Sequence, residues 1–266
     1  MTINRVTQNL PKQELGSKKV HLKNLPKQEL ESKKMRLQKF LSQAGLCSRR
    51  KGEEYIIAGL ITVNGVVVTE LGTSIDVEND EVKFQGEIIR FFPEKEKIYI
   101  ALNKPLDVIA SCSHSHVGEK IVLDLIDIPD RIYPIGRLDK DSTGLLLLTD
   151  DGELHNKLSH PSYNHEKEYI VTTVEPVSKS ALEKMAVGIM LDGKRTRAAQ
   201  VEQLSRYKFR IILKQGINRQ IRRMVEKTGN NVKELIRVRI GSIKIGGLKQ
   251  GEWRFLNQQE INGLKS

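Results

Sequence analysis

Asp139 sits where a carboxylate can do chemistry. Gly136 and Arg137 precede it, Lys140 and Asp141 follow it, and Ser142-Thr143-Gly144 leads into four leucines, Leu145 to Leu148. The two glycines allow tight backbone on either side, and the leucines read as a buried strand that anchors the loop. A carboxylate at the mouth of an apolar run must be paired or it takes up a proton. Kept ionised, it can attack a carbon or abstract a proton. On the residues alone, an aspartate that caps a turn or helix is an equal reading. Carboxylate-based, metal-dependent hydrolysis is a weaker one, because no convincing cluster of metal-binding carboxylates accompanies Asp139. Cys47 and Cys112 lie far apart without ligand-like spacing, so neither a disulfide nor a zinc site is expected.

The elements around this loop come with an uneven charge. The net charge is +11 over 266 residues. Residues 1–60 carry 13 Lys/Arg against 5 Asp/Glu, residues 61–205 carry 16 against 24, and residues 206–254 carry 14 against 3. Two basic blocks around an acidic middle fit a footprint for a polyanion. The plainer alternative is RNA affinity without chemistry. The first thirty residues lack the apolar core of a secretion signal, and the apolar runs fall far short of the roughly 20 residues needed to cross a bilayer. A cytoplasmic protein without membrane association is expected.

The chain opens on a repeat, Asn9–Lys19 and Asn24–Lys34, each copy ending in two lysines. It is too short and polar for a solenoid. Residues 1–34 are read as a basic, flexible leader, with an RNA-tethering arm as the sharper alternative. If it tethers, deleting residues 1–34 weakens RNA binding more at low salt than at high salt, and a binding curve unmoved across a salt series would reject the idea.

Residues 35–94 read as a first domain. Leu37, Phe40, Leu41 and Ala44 recur at helical spacing, and Gly45 stops that helix. Ser48 can cap a second helix with Tyr55, Ile56 and Ile57 as its apolar face, ended by Gly59. Ile61 to Val68 reads as a hairpin turning on Asn64-Gly65. Strands over Val77–Phe84 and Ile88–Phe92 follow. This order resembles the S4-like RNA-binding domain shared with a small-subunit ribosomal protein. The resemblance assigns Arg36, Lys39, Ser48, Arg49, Arg50 and Lys51 to phosphate contacts, which orient RNA without reading its bases.

Residues 98–257 read as the larger domain and 258–266 as a tail. Ile98–Leu102 is a strand, with a turn at Asn103-Lys104-Pro105. Residues 106–118 are a loop and Lys120–Ile126 a short helix. A polar loop over Lys157–Glu168 leads into the strand Tyr169–Val174. Helices are expected at Ser180–Val187 and Gln220–Lys227, with strands at Phe209–Leu213 and within Val232–Ile245. Regular crossover helices are missing, so the class is α+β, with a mixed, mainly antiparallel sheet.

The string PIGRLDKDSTGLLLLTDDG resembles the catalytic segment of the RsuA/RluB/RluE/RluF family of ribosomal RNA pseudouridine synthases. NHEKEY, GINRQIRRM and the closing LIRVRIGSIKIGGLKQGEWRFL follow the same pattern, in order, over nearly all of Met35 to Leu256. The resemblance implies an isomerase that breaks the N1–C1′ bond of a uridine, turns the uracil and rejoins it through C5, without metal or cofactor. It makes Asp139 the essential carboxylate, acting on C1′ or on a ribose proton. It makes Tyr169 a ring against the detached uracil, or a hydroxyl that assists loss of the C5 proton; the ordinary alternative is a strand tyrosine with its ring in the core. Arg222 is expected to pair with Asp139 and keep it charged. Arg137, Arg219 and Arg223 are expected on phosphates, with domain packing as the alternative for the last two. The implied substrate is 23S ribosomal RNA or a large-subunit assembly intermediate, at a 2604-type uridine near the peptidyl-transferase centre. A transfer RNA anticodon is a further target class, and a monomer is expected.

Overall fold

The computed structural model of the protein describes residues 34–92, 95–159 and 164–265. The duplicated leader, up to residue 33, lies outside the described residues, as do residues 93–94 at the end of the first domain.

The first domain follows its local signals closely. Strand Lys34–Arg36 pairs with Ser74–Asp76, and helices Leu37–Gln43 and Arg49–Ile57 pack beside it. Ser48 Oγ accepts the Lys51 amide at 3.1 Å, which satisfies one of the free donors at the helix start. Strands Ile61–Val63 and Val66–Val68 form the hairpin, with Asn64 and Gly65 both at positive φ as that turn demands. Val82–Phe84 and Glu87–Ile88 complete a four-stranded sheet. Leu37, Leu41, Ile56, Ile61 and Ile75 fill the core. Three expectations are corrected. Residues 77–79 turn, because the Asp76 and Asp80 side chains accept backbone amides there, so only Val82–Phe84 of the expected strand Val77–Phe84 pairs. The last strand is Glu87–Ile88 and not Ile88–Phe92. Ile56 is buried but Ile57 is exposed, because consecutive residues on a helix are about 100° apart and cannot share one face.

The larger domain is built on a nine-stranded sheet. Its main path runs Gln200–Ser205, Lys208–Leu213, Lys167–Thr173, Val232–Ile240, Thr143–Thr149, Tyr99–Lys104 and Trp253–Phe255. All pairings on this path are antiparallel except one. Thr143 and Gly144 pair parallel with Ile236 and Arg237. The leucine strand, Thr143–Thr149, is buried along its whole length. Leu145 and Leu147 join one core and Leu146 and Leu148 another. That alternation is what a strand covered on both faces requires. Helices Lys179–Val187 and Gln220–Lys227 cover one face beyond the tyrosine strand, Lys167–Thr173. Helices Gly152–Ser159 and Gln258–Lys265 cover the opposite face.

Several boundaries differ from the sequence reading. Asn103 and Lys104 belong to the strand and do not form a turn. Lys120–Ile121 pairs with Val108–Ile109, followed by a single 3₁₀ turn over Val122–Leu125. A helix at Gly152–Ser159 replaces the start of the polar loop. It is capped by Asp151, whose Oδ1 accepts the Glu153 and Leu154 amides. Residues 258–265 form a helix whose Leu264 is buried, so this stretch is packed and not a tail. Among the described residues no helix is long and apolar enough to cross a membrane.

Candidate active site

Asp139 lies in the loop between strand Tyr133–Ile135 and the leucine strand. The loop turns at Gly136, φ 71°, and closes where the Ser142 amide donates to the Asp139 carbonyl at 3.1 Å. Leu138 is buried in the core below, which leaves the Asp139 side chain 27% exposed at the rim. It is neither a surface residue nor sealed off. A group there can meet a substrate while the backbone beneath it is fixed.

The basic residues around the loop are arranged differently from the expectation. Arg222 does not make its ion pair with Asp139. Its Nη2 donates to the Asp141 carbonyl at 2.6 Å and to Ser142 Oγ at 3.3 Å, and its Nε stands 3.3 Å from Asp141 Oδ2. The cation that reaches Asp139 is Arg219, with Nη1 3.8 Å from Oδ2. Arg219 also holds Asp141 in a two-pronged bond, at 3.2 and 2.9 Å. The reason is local. Arg219 stands in the left-handed conformation, φ 49°, just ahead of helix Gln220–Lys227, which carries its side chain over both acids. Arg222, three residues into the chain beyond it, is directed at the loop backbone. Burial pushes the Asp141 carboxyl up, but the Arg219 hydrogen bond and the Arg222 and Arg219 charges outweigh it and hold it below its ordinary value. Gln220 braces the turn by accepting the Ile217 amide.

Two buried cations were not picked out from the sequence. Lys104 is fully buried at the end of its strand. Its ammonium donates to the carbonyls of Pro105 at 2.9 Å, Val108 at 2.7 Å and Lys140 at 3.5 Å. Lys140 is the residue after Asp139, so Lys104 ties the loop to the sheet. Arg237 is 2% exposed. Its Nε donates to the Leu145 carbonyl at 2.7 Å and its Nη1 to the Arg137 carbonyl at 3.3 Å. In sequence both look like ordinary members of a basic strand or turn, since nothing local marks a lysine or arginine that faces inward.

Tyr169 belongs to the same part of the sheet. Tyr169 is registered with Arg237, Arg237 with Gly144, and Gly144 with Lys104. Registered partners project to one face. Tyr169 is half-buried and packs against two of the cores. Lys167, two residues before it, is pushed down by burial and by the Arg237 charge.

A cleft of about 1140 Å³ runs between the two domains. Lys39, Ser48 and Arg49 line it from the first domain, and Arg131, Tyr133, Gly136 and Arg137 from the larger one. Arg131 Nη1 reaches across to Ser42 Oγ at 3.3 Å. Arg137, two residues ahead of Asp139, lines this cleft, whereas Asp139, Tyr169 and Arg222 do not. Of the other residues assigned to phosphates, Arg50 is exposed, Arg36 bonds the Gly72 carbonyl and Lys51 pairs with Glu54 at 2.7 Å. Arg223 pairs with Asp192 within the larger domain.

Residues 98–227 match the RNA pseudouridylate synthase family, and residues 35–82 match the S4 domain. The chain is 39% identical over 227 residues to the dual-specificity RNA pseudouridine synthase RluF of Escherichia coli K12, covering 85% of this chain and 77% of that one. It is 40% identical over 236 residues to the ribosomal large subunit pseudouridine synthase B of Bacillus subtilis, covering 86% and 95%. A crystal structure of a pseudouridylate synthase superposes with a TM-score of 0.64 at 32% identity, covering 86% of this chain and 99% of that one. An S4 domain ahead of a mixed sheet, with sequence identity sustained across both, places this chain in the RluF-type family of RNA pseudouridine synthases.

Proposed function

We propose that this synthase isomerises a uridine of 23S ribosomal RNA at a 2604-type site near the peptidyl-transferase centre, with Asp139 as the reacting carboxylate. The observation that carries the assignment to Asp139 is its setting. It is a part-exposed acid on a loop tied down from four sides, by Lys104, Arg219, Arg222 and Arg237. Arg137, two residues before it, lines a cleft whose other wall is the S4 domain. Asp141, the nearest rival, is already occupied by two arginines.

The uridine leaves its stack, at about a few kcal/mol unless RNA structure already exposes it. Asp139 then acts on C1′ or on a ribose proton as the N1–C1′ bond breaks. The uracil turns over and bonds to C1′ through C5. The C5 proton is lost and N1 is reprotonated, so atoms and charge balance. Tyr169 is the ring that faces the freed uracil, and its strand position on the Arg237 row keeps it close to the root of the loop. Enclosure matters, because escape of the base would leave an abasic site. Lys39, Ser48, Arg49 and Arg137 are assigned to phosphates along the cleft.

Nucleotide-resolution pseudouridine mapping of total RNA, with and without this gene, tests the target. Loss of one large-subunit site is the expected result. Loss confined to small-subunit RNA would overturn it. The RluF relative is named a dual-specificity enzyme, so transfer RNA belongs in the same map.

Lys104 gives a pH dependence with a definite sign. Burial pushes its ammonium down to about 8, against the pull of Asp141, Asp107 and Asp139. An unfolded lysine keeps its proton to about pH 10. Between these values the unfolded chain binds more protons, so the Lys104 contribution to folding stability rises with pH. Turnover should move the other way. Losing the proton removes one donor and the charge from the loop's anchor, and kcat should fall several-fold as pH passes about 8. A kcat that stays level to about pH 9.5, measured beside the melting temperature, would count against this role.

A further inference from the structure

We propose that Arg237 is a positioning residue for Asp139, holding both arms of the reactive loop to the strand beside Tyr169. The proposal rests on Asp139 being the reacting carboxylate.

Asp139 does little to fix itself. Among the described residues its carboxylate has one cation within ion-pair distance, Arg219 at 3.8 Å, and Arg219 is already committed to Asp141 at closer range. Its location is therefore set by the backbone on either side. Arg237 bonds that backbone at both ends. Nη1 takes the Arg137 carbonyl, two residues before Asp139, and Nε takes the Leu145 carbonyl, six residues after it. One rigid guanidinium plane thus fixes the spacing between the arms of the loop.

The sheet explains why a side chain is needed for this. Pairing between the leucine strand and strand Val232–Ile240 covers only Thr143 and Gly144. The next carbonyl, that of Leu145, finds the Arg237 side chain in place of a ladder partner. Close approach of the two backbones at Gly144 keeps the guanidinium at that level. A Cβ on Gly144 would lie 2.3 Å from the Arg237 carbonyl oxygen.

Arg237 is 2% exposed, and no carboxylate stands within ion-pair distance of it among the described residues. Its charge disfavours the protonated forms of Lys104 and Lys167. A buried cation without an acid is costly, and an apolar side chain would pack there more cheaply. Among the described residues its side-chain hydrogen bonds go only to the Arg137 and Leu145 carbonyls, and Nη2 has no partner. The arrangement makes little sense for stability and good sense for geometry.

The test compares Arg237→Met and Arg237→Lys with Asp139→Asn in single-turnover and steady-state assays on a ribosomal RNA fragment. A displacement of about 1 Å at the reacting group can cost about a hundredfold in rate. Arg237→Met should therefore lose about a hundredfold in kcat while its KM for RNA stays within about threefold. Arg237→Lys keeps the charge but reaches one carbonyl at a time, so it should recover about tenfold of that loss. A folded Arg237→Met with kcat within about threefold of the parent overturns the proposal, as does a loss confined to KM, which would make Arg237 an RNA ligand. If Arg237→Met does not fold, Arg237→Lys decides by the same criteria. Turnover by Asp139→Asn would instead remove the reading on which the proposal stands. An inactive Asp139→Asn beside fully active Arg237 variants removes the proposal alone.

Discussion

Asp139→Asn is expected to lose pseudouridine formation by about a thousandfold or more, since an amide neither attacks carbon nor accepts a proton at neutral pH. The fold should survive. The carboxylate's charged neighbour is 3.8 Å away and part-exposed, and Arg219 retains its bidentate bond to Asp141. Such a contact contributes at most about 1 kcal/mol. RNA affinity should be unchanged or slightly tighter, because the variant removes a negative charge beside a polyanion. Product formation is measured by pseudouridine-specific labelling, with binding and melting temperature measured in parallel. Asp141→Asn is the discriminating partner. It loosens Arg219 and Arg222 together, so a partial loss in kcat and some loss of stability are expected. If Asp141→Asn were inactive while Asp139→Asn turned over, the two acids would have to exchange roles.

The second large effect is on stability. Gly144 stands at φ 105°, and a Cβ there would meet the Arg237 carbonyl oxygen at 2.3 Å and its amide nitrogen at 2.6 Å. Both are backbone atoms, so no side chain can swing away. Gly144→Ala must therefore either part the leucine strand from strand Val232–Ile240 or distort both. Backbone strain and overpacking together cost on the order of 4 kcal/mol. That is a large part of the roughly 5–15 kcal/mol that holds a domain folded. The melting temperature should fall by about 10 °C or more, if the variant accumulates at all. Any folded remainder should also turn over slowly, since the same displacement moves the Leu145 carbonyl and the loop it borders. A melting temperature within about 2 °C of the parent would show that the strands have room to part.

Much of the fold is legible in the sequence. Helix Gln220–Lys227 has the bounds its apolar spacing and flanking residues suggest. Ser48 caps, Asn64-Gly65 turns and the leucine run is a strand, each for a reason carried by two to eight neighbouring residues. The helix at Gly152–Ser159 had readable signals too. Asp151 is a cap and Leu154 and Leu158 share a face, but the polar residues around them suggested a loop. The Arg222 pairing could not be read this way. It depended on the left-handed turn at Arg219 and on which of two acids, two residues apart, lay under which guanidinium.

The residues themselves determine the S4-like domain, the mixed sheet and the loop that carries Asp139, because capping, turn chemistry and apolar period act over a few bonds. Tertiary structure alone decides which cations serve that loop. Lys104 and Arg237 bind carbonyls 36 and 100 residues away. Such partners are brought together by strand register, and register is a property of the whole sheet.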